Sequence, residues 1–291
     1  MPGTSLDRLR QSVEVSAGVI VRHLTPVRGG DVASAYRAEL VDGGSLFVKT
    51  HAAPPPGFFT TEARGLEWLR GPAAVPVPHV VAVSDGGDRT PPHLVLEWIE
   101  QGRSTAGTDA AFGRALAALH ASGAPSFGRE DRRTTGSRGL PNDPQPTWSA
   151  FYSTCRLLPL ARIARDSDSM DLATIATLER LASRLSELDD HDSPSRLHGD
   201  LWAGNRLVDV HGRSWLIDPA AHGGHREFDL AMMRLFGGWG ADCFAAYEEV
   251  HPLRDGWRDR VQLHQIAPLV VHAIKFGGAY VAAASAAIAR Y

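Results

Sequence analysis

Arg196-Leu197-His198-Gly199-Asp200-Leu201-Trp202-Ala203-Gly204-Asn205, followed by Trp215-Leu216-Ile217-Asp218-Pro219, is the stretch whose reading decides the fold. Between these segments the runs Arg206-Leu207-Val208-Asp209-Val210 and Ser214-Trp215-Leu216-Ile217 flank His211-Gly212-Arg213. That is the pattern of two short strands joined by a tight turn. The turn at His211-Gly212 lies midway between positions 205 and 218, so an antiparallel hairpin is expected to set Asn205 opposite Asp218. Two oxygen ligands would then face each other at the open end of a rigid hairpin, a donor set suited to Mg²⁺, which is usually held by one or two such groups. An Asp-Pro at a strand end is also a common turn, and an Asp/Asn pair alone fits an ordinary loop. The coincidence of His-Gly-Asp, the spaced Asn and a strand ending in Asp points to a site.

Asp200 sits five residues before Asn205. Asp-x-x-x-x-Asn is the spacing of a kinase catalytic loop, in which the Asp accepts a hydroxyl proton and the Asn holds metal. The octet His198 to Asn205 resembles the HGDLWxGN signature of the fructosamine (ketosamine) kinases, a branch of the aminoglycoside-phosphotransferase-like kinases. Ile217-Asp218-Pro219-Ala220 is similar to that family's IDPA. Gly224-His225-Arg226-Glu227-Phe228-Asp229-Leu230-Ala231-Met232 and Leu235-Phe236-Gly237-Gly238 are similar to its G-x-R-E-x-D-L-A-M and LFGG. Phe276-Gly277-Gly278-Ala279-Tyr280 resembles its FGGGY, so the likeness runs through nearly the whole chain. It implies an α+β, two-lobed protein-kinase-like fold. A nucleotide-binding lobe is expected over residues 1 to 101 and a catalytic, substrate-binding lobe over residues 102 to 291.

At 291 residues, 43% hydrophobic and 22% charged, the chain can bury one or two cores. A net charge of −3 gives no electrostatic case for nucleic acid or an anionic membrane. Cys155 and Cys243 are far apart and outside any C-x-x-C pattern, which argues against a disulfide framework or a zinc site. The N-terminal stretch with Asp7, Arg8, Arg10 and Glu14 lacks a signal-peptide core, so a cytoplasmic location is expected. Residues 266 to 288 are apolar but hold His272, Lys275 and two Gly, and read as buried helices rather than a membrane span.

Residues 1 to 15 read as an amphipathic helix with Leu6, Leu9 and Val13 on one side. Strands are expected at Val19 to Val21 and at Ala35 to Val41, around a loop containing Gly29-Gly30. Those glycines fit an ordinary hairpin turn, or a backbone that approaches phosphates closely. The family likeness puts the phosphate loop here, although Asp31-Val32 replaces the usual pattern and the loop has no Cys. Leu46-Phe47-Val48-Lys49 ends in a lone Lys, which is a solvated strand end or the phosphate-gripping Lys paired to a helical Glu. The helix from Thr61 to Arg70 supplies Glu62 at the family position, with Leu66 and Leu69 inward and Glu67 outward. Strands at Val77 to Val83 and His93 to Ile99 complete a five-stranded lobe. The resemblance makes Glu97 to Gly102 the hinge, where the backbone of Glu97 and Ile99, with Trp98 between them, would meet adenine.

A helix from Asp109 to His120 buries Phe112, Leu116 and Leu119, with Asp109 as N-cap and His120 structural. Residues 123 to 147 form a long loop carrying Arg129, Arg132, Arg133 and Arg138, and they depart from the family's segment here. Trp148 to Ala164 reads as one helix. Met170, Leu172, Ile175, Leu178, Leu181, Leu185 and Leu188 form the core stripe of the next. Glu227 and Asp229 open a further helix. The fold class implies that Asp229 supports the catalytic loop, and the plain alternative is a pair of acids at a helix N-terminus.

The reading that results is a kinase using ATP and Mg²⁺ to phosphorylate a sugar hydroxyl. Asp200 acts as base, Lys49 and Glu62 hold the nucleotide, and Asn205 and Asp218 hold metal. The resemblance implies a ketosamine acceptor, small or protein-bound, phosphorylated at its 3-hydroxyl so that the amine is freed, and a monomer or weak dimer is expected. Trp202 either stacks on the sugar or anchors the loop in the core, and His272 is either a substrate contact or a buried helix histidine. Kinases of another small acceptor, such as an aminoglycoside or amino alcohol, remain an alternative, which the loop arginines disfavour. A non-catalytic nucleotide-binding regulator is disfavoured by the full residue set.

Overall fold

The computed structural model describes residues 5–27, 33–87, 90–130, 134–135, 139–188 and 191–291. The first helix, α1 (Ser5–Ala17), leads into β1 (Val21–Val27), β2 (Ser34–Leu40) and β3 (Ser45–Thr50). Helix α2 (Phe58–Arg70) then precedes β4 (Val80–Ser84) and β5 (His93–Glu97). The five strands form one antiparallel sheet in the order β1-β2-β3-β5-β4. Side chains alternate across it with the period of two that a strand imposes. Val48 and Val95 face α1, packing with Leu9 and Val13, whereas Leu94 and Leu96 face α2. Lys49 is two residues from Phe47, which packs in the α2 cluster, so the same alternation aims the lysine at α2. Leu6, expected on the inner stripe of α1, is exposed.

The remainder is mostly helical: α3 (Thr108–Ala121), a small hairpin of β6 (Thr134–Thr135) and β7 (Leu140–Pro141), then α4 (Trp148–Tyr152), α5 (Leu158–Asp166) and α6 (Leu172–Arg184). A π-helical turn, Ser153–Leu157, joins α4 to α5, so the single helix expected there is interrupted. Strand β8 (Ser195–Leu197) carries the chain into the His198-Gly199-Asp200 loop and pairs with β11 (His222–Gly224). Between them, β9 (Arg206–Val208) and β10 (Ser214–Leu216) make the central hairpin, and α7 (Glu227–Phe236), α8 (Ala241–Val250), α9 (Trp257–Phe276) and α10 (Ala279–Ile288) close the fold. No described helix is long and apolar enough to cross a membrane.

The hairpin register differs from the expected one. Val208 faces Ser214 and Arg206 faces Leu216, so Asn205 faces Ile217, whose amide donates to Asn205 O at 3.1 Å. Asp218 lies one residue further on. The cause is the closed end, where a five-residue loop replaces the two-residue turn. The Asp209 carboxylate accepts from the amides of His211 and Arg213, from Arg213 Nε and from Trp215 Nε1, all at 2.9 Å. The same hairpin secures the linker after β5, with Gly102 N donating to Val208 O and Val210 N to Glu100 O.

One hydrophobic cluster crosses between the sheet-bearing and helical parts. It joins Phe59, Leu66 and Leu69 of α2 to Leu116 of α3, Leu201 of the catalytic loop and Leu230 of α7. Two arginines reinforce this seam. Arg129 donates to Ala221 O and Arg64 O, Arg196 donates to Trp68 O at 2.7 Å, and both guanidinium groups lie over the Trp68 ring. Arg129 is therefore buried rather than a free loop charge, while Arg132, Arg133 and Arg138 lie outside the described residues. Asp109 is not a cap either. Gly107 holds that position, and the Asp109 carboxylate instead accepts from Arg206 and from Gly240 N.

Candidate active site

The His198-Gly199-Asp200 loop is held from below by α7. Asp229, fully buried, accepts from His198 N at 2.8 Å and Gly199 N at 2.9 Å, and His120 Nε2 lies 3.3 Å from its Oδ2. Burial pushes the Asp229 carboxyl up, but the bond from His120 and the bonds from the loop outweigh it and keep the group ionised. Gly199 has φ +78°, and a Cβ there would run into the Ala220 carbonyl, so a side chain is excluded on both counts. The loop thus turns sharply above Ala220 and leaves Asp200 in the cleft. Glu227, two residues before Asp229, serves a different structure: it pairs with Arg260 at 2.6 and 2.9 Å and lies beside His264.

Asn205 Nδ2 donates to Asp200 Oδ2 at 3.0 Å and to Asp200 O at 2.8 Å. The amide hydrogens therefore face Asp200 and leave Asn205 Oδ1 without a protein partner among the described residues. Asp218 has φ +54°, a left-handed conformation that Asp tolerates better than most side chains. This backbone turn offsets the register shift and keeps Asp218 beside Asn205, whose Nδ2 comes within 3.5 Å of Asp218 O. Asp218 Oδ1 accepts from Lys49 Nζ at 2.6 Å, and Lys49 also reaches both Glu62 oxygens, at 2.9 and 3.0 Å. Glu67 is exposed, as its helix position requires.

In this cluster proximity decides the charge of Lys49 and Asp218, and burial that of Glu62 and Asp200. Burial works against the Lys49 ammonium, but Glu62 and Asp218 outweigh it and hold its pKa above the ordinary lysine value. Burial raises the Asp218 carboxyl, yet Lys49 more than offsets this and keeps it ionised. For Glu62 burial wins, and its pKa is raised despite the lysine. Burial likewise lifts the Asp200 carboxyl above the ordinary aspartate value, against the pull of His198, the Asn205 bond and His272.

These side chains line one cleft of about 880 Å³. Lys49, Glu62, Glu97, Trp98, Ile99, Asp200, Trp202, Asn205, Asp218 and His272 all border it. Gly29 and Gly30 lie outside the described residues. At the linker the Glu97 amide donates to His79 O, and Ile99 borders the cleft two residues on. Trp98 donates to Glu100 and carries Arg37 over its ring. Trp202 is 41% exposed and covers Gly204 so closely that no Cβ would fit there. It is therefore not a core anchor. His272 donates from Nδ1 to Pro268 O and touches the rings of Phe236, Phe276 and Tyr280, which makes an aromatic wall beside Trp202. Pro268 lacks an N–H for the helix, and Tyr152 Oη compensates by bonding Leu263 O, His264 O and Ala267 N.

Several cleft residues escaped the sequence reading. Arg156 and His222 border the cleft although each is almost fully buried. Neither sits in a motif with a chemical spacing, and nothing in the sequence alone distinguishes them from core-flanking polar residues. Phe236 had a signal, since it ends α7 in the Leu235-Phe236-Gly237-Gly238 block.

The donor set suits a hard cation: the Asn205 amide oxygen and the Asp218 carboxylate border the same cleft and are oxygen ligands of the kind Mg²⁺ takes. Comparison with known proteins shows the family and the fold. A sequence model of the family described as fructosamine kinase matches residues 8–291. A probable ketoamine kinase of Enterococcus faecium is 33% identical over 257 residues, covering 88% of this chain and 90% of that protein. The chloroplastic protein-ribulosamine 3-kinase of Arabidopsis thaliana is 33% identical over 274 residues, covering 91% and 81%. The crystal structure of a candidate fructosamine-3-kinase from Thermobifida fusca superposes with a TM-score of 0.88 at 38% identity, over 97% of this chain and 99% of that one. An aminoglycoside 2'-phosphotransferase, at 12% identity and a TM-score of 0.61, shares the fold. The chain belongs to the fructosamine kinase family.

Proposed function

We propose that the protein transfers the γ-phosphoryl group of ATP to the 3-hydroxyl of a ketosamine, so that the phosphorylated adduct decomposes and frees the amine. The observation that carries this reading is the convergence of Lys49, Glu62, Asp200, Asn205 and Asp218 on one cleft, with Asp200 Oδ1 and Asn205 Oδ1 without a protein partner among the described residues. Family membership supports the acceptor class, and the Arabidopsis relative is a ribulosamine 3-kinase by name. Residues 1 to 101 serve as the nucleotide lobe and residues 102 to 291 as the catalytic lobe in this reading.

Phosphoryl transfer is catalysed mainly by positioning and charge neutralisation. Lys49, oriented by Glu62, grips the nucleotide phosphates, and a phosphate oxygen replaces the present Lys49–Asp218 contact. Mg²⁺, when bound through Asn205 and Asp218, supplies charge neutralisation on the β- and γ-phosphates. The Ile99 amide and the linker walls receive the adenine. Asp200 Oδ1 has no protein partner among the described residues and accepts the acceptor hydroxyl, while Asn205 fixes Oδ2. A positioned base is typically worth about 10² to 10⁴ in rate. Trp202 and the His272 wall border the sugar side.

Measuring ADP release with fructosyl-lysine, ribulosyl-lysine and kanamycin side by side tests the reading. Turnover is expected with one or both ketosamines and not with kanamycin. Turnover with kanamycin alone would move the protein to another acceptor class.

A further inference from the structure

Behind Asp200 the cleft continues into an interior chamber bordered by Leu140, Arg156, Leu160, His222, Phe228 and Met232, none more than 7% exposed. The chamber adjoins the catalytic loop directly, because a Cβ at Gly199 would lie 2.9 Å from His222 Nδ1. Its walls are apolar apart from two groups. Arg156 Nη1 donates to Pro141 O at 2.7 Å and Cys155 O at 2.9 Å, and Nη2 donates to Asn142 Oδ1 at 3.0 Å. A guanidinium has five N–H donors, so Nε–H and one Nη2–H are left without a protein acceptor among the described residues. No carboxylate pairs with Arg156 among the described residues, and burial lowers its pKa to about 10 without discharging it. His222 Nδ1 donates to Ala220 O at 2.9 Å, and Nε2 is buried with no partner among the described residues. Burial and the nearby guanidinium hold this imidazole neutral.

A buried cation without a counter-ion repels a second cation strongly in a low-dielectric space. A ketosamine carries its positive charge on the amine, which also bears the rest of the glycated molecule and so must extend to solvent past the exposed Trp202 and Phe276. We infer that the chamber receives the end of the acceptor sugar remote from the amine, with Arg156 donating to its terminal hydroxyl oxygens. This rests on the ketosamine reading and adds to it a specificity device. The chamber selects a neutral polyol tail and rejects acceptors that are cationic at both ends.

The test crosses substrate truncation with substitution. On the unaltered protein, 6-deoxyfructosyl-lysine and erythrulosyl-lysine are expected to show lower kcat/KM than fructosyl-lysine, on the order of tenfold for each charge-assisted bond lost. In Arg156→Met, and in Arg156→Lys should the former not fold, kcat/KM for fructosyl-lysine falls about tenfold. The value for erythrulosyl-lysine changes less than about twofold, and KM for ATP is unchanged. An equal loss on all acceptors, a parallel shift in KM for ATP, or indifference of the unaltered protein to sugar length would overturn the inference. Absence of turnover with every ketosamine would instead overturn the proposed acceptor class.

Discussion

The two ends of the β9–β10 hairpin carry an aspartate each and use it in opposite ways. At the closed end, Asp209 is 4% exposed and its oxygens accept four protein donors. At the open end, Asp218 sits in a left-handed backbone conformation, its side chain 32% exposed, with Lys49 as its close cationic partner and Glu62 beside it. A carboxylate saturated by its own protein is architecture. A carboxylate held in an uncommon backbone conformation with fewer protein donors is available to a ligand. The two differ in burial as well, but the number of protein donors each carboxylate has taken up is what sets their roles apart.

That contrast is sharpened first at the open end, where the largest effect is expected. Asp200→Asn should lower turnover of fructosyl-lysine by about 10² to 10⁴, while calorimetry records unchanged ATP binding. Retained turnover would remove Asp200 from the role of base. Lys49→Ala is expected next, raising KM for ATP by an order of magnitude or more, since one charge-assisted contact is worth roughly 1.5–3 kcal/mol. Unchanged ATP affinity would place the phosphate grip elsewhere. The pH profile gives a smaller signal. Asp200 works ionised and its carboxyl is raised by burial, so the acid limb of kcat/KM should lie above the ordinary aspartate value of about 3.9. A limb at or below that value would contradict the buried environment.

The closed end titrates in the opposite sense. Burial pushes Asp209 up, but the bonds from Trp215, Arg213 and the His211 amide outweigh it and hold its pKa well below the ordinary range. A depressed folded pKa gives stability that is present above the unfolded value of about 3.9 and lost as pH falls below it. Thermal midpoints should therefore fall between about pH 4 and pH 2, and Asp209→Asn should flatten that slope. An unaltered slope would mean that other acids dominate acid unfolding.

Much of this was legible in sequence, for reasons that differ by region. Alternation in Leu46-Phe47-Val48-Lys49 and His93-Leu94-Val95-Leu96 gives strands with opposed faces, and the helix carrying Glu62 follows from its apolar spacing. The family likeness, which the comparisons show, reaches the His198 to Asn205 octet because that loop must carry several chemical groups at fixed spacing. The hairpin register was not legible. Counting to the midpoint assumes a two-residue turn, whereas four bonds to one Asp209 side chain stabilise a five-residue loop. Nor was the interior chamber. Leu160, Phe228 and Met232 read as core because they are core, and only the tertiary arrangement leaves space between them.

Turnover and thermal midpoint measured together for Asp218→Asn and Asp209→Ala test the contrast most directly. Asp218→Asn is predicted to lose at least about 10² in turnover with little change in midpoint. Asp209→Ala should keep turnover within a few-fold below its melting range, while losing roughly 1–3 kcal/mol of stability as its donors are left unpaired. The reverse pattern, an active Asp218→Asn and an inactive but stable Asp209→Ala, would contradict the assignment of function to the open end of the hairpin.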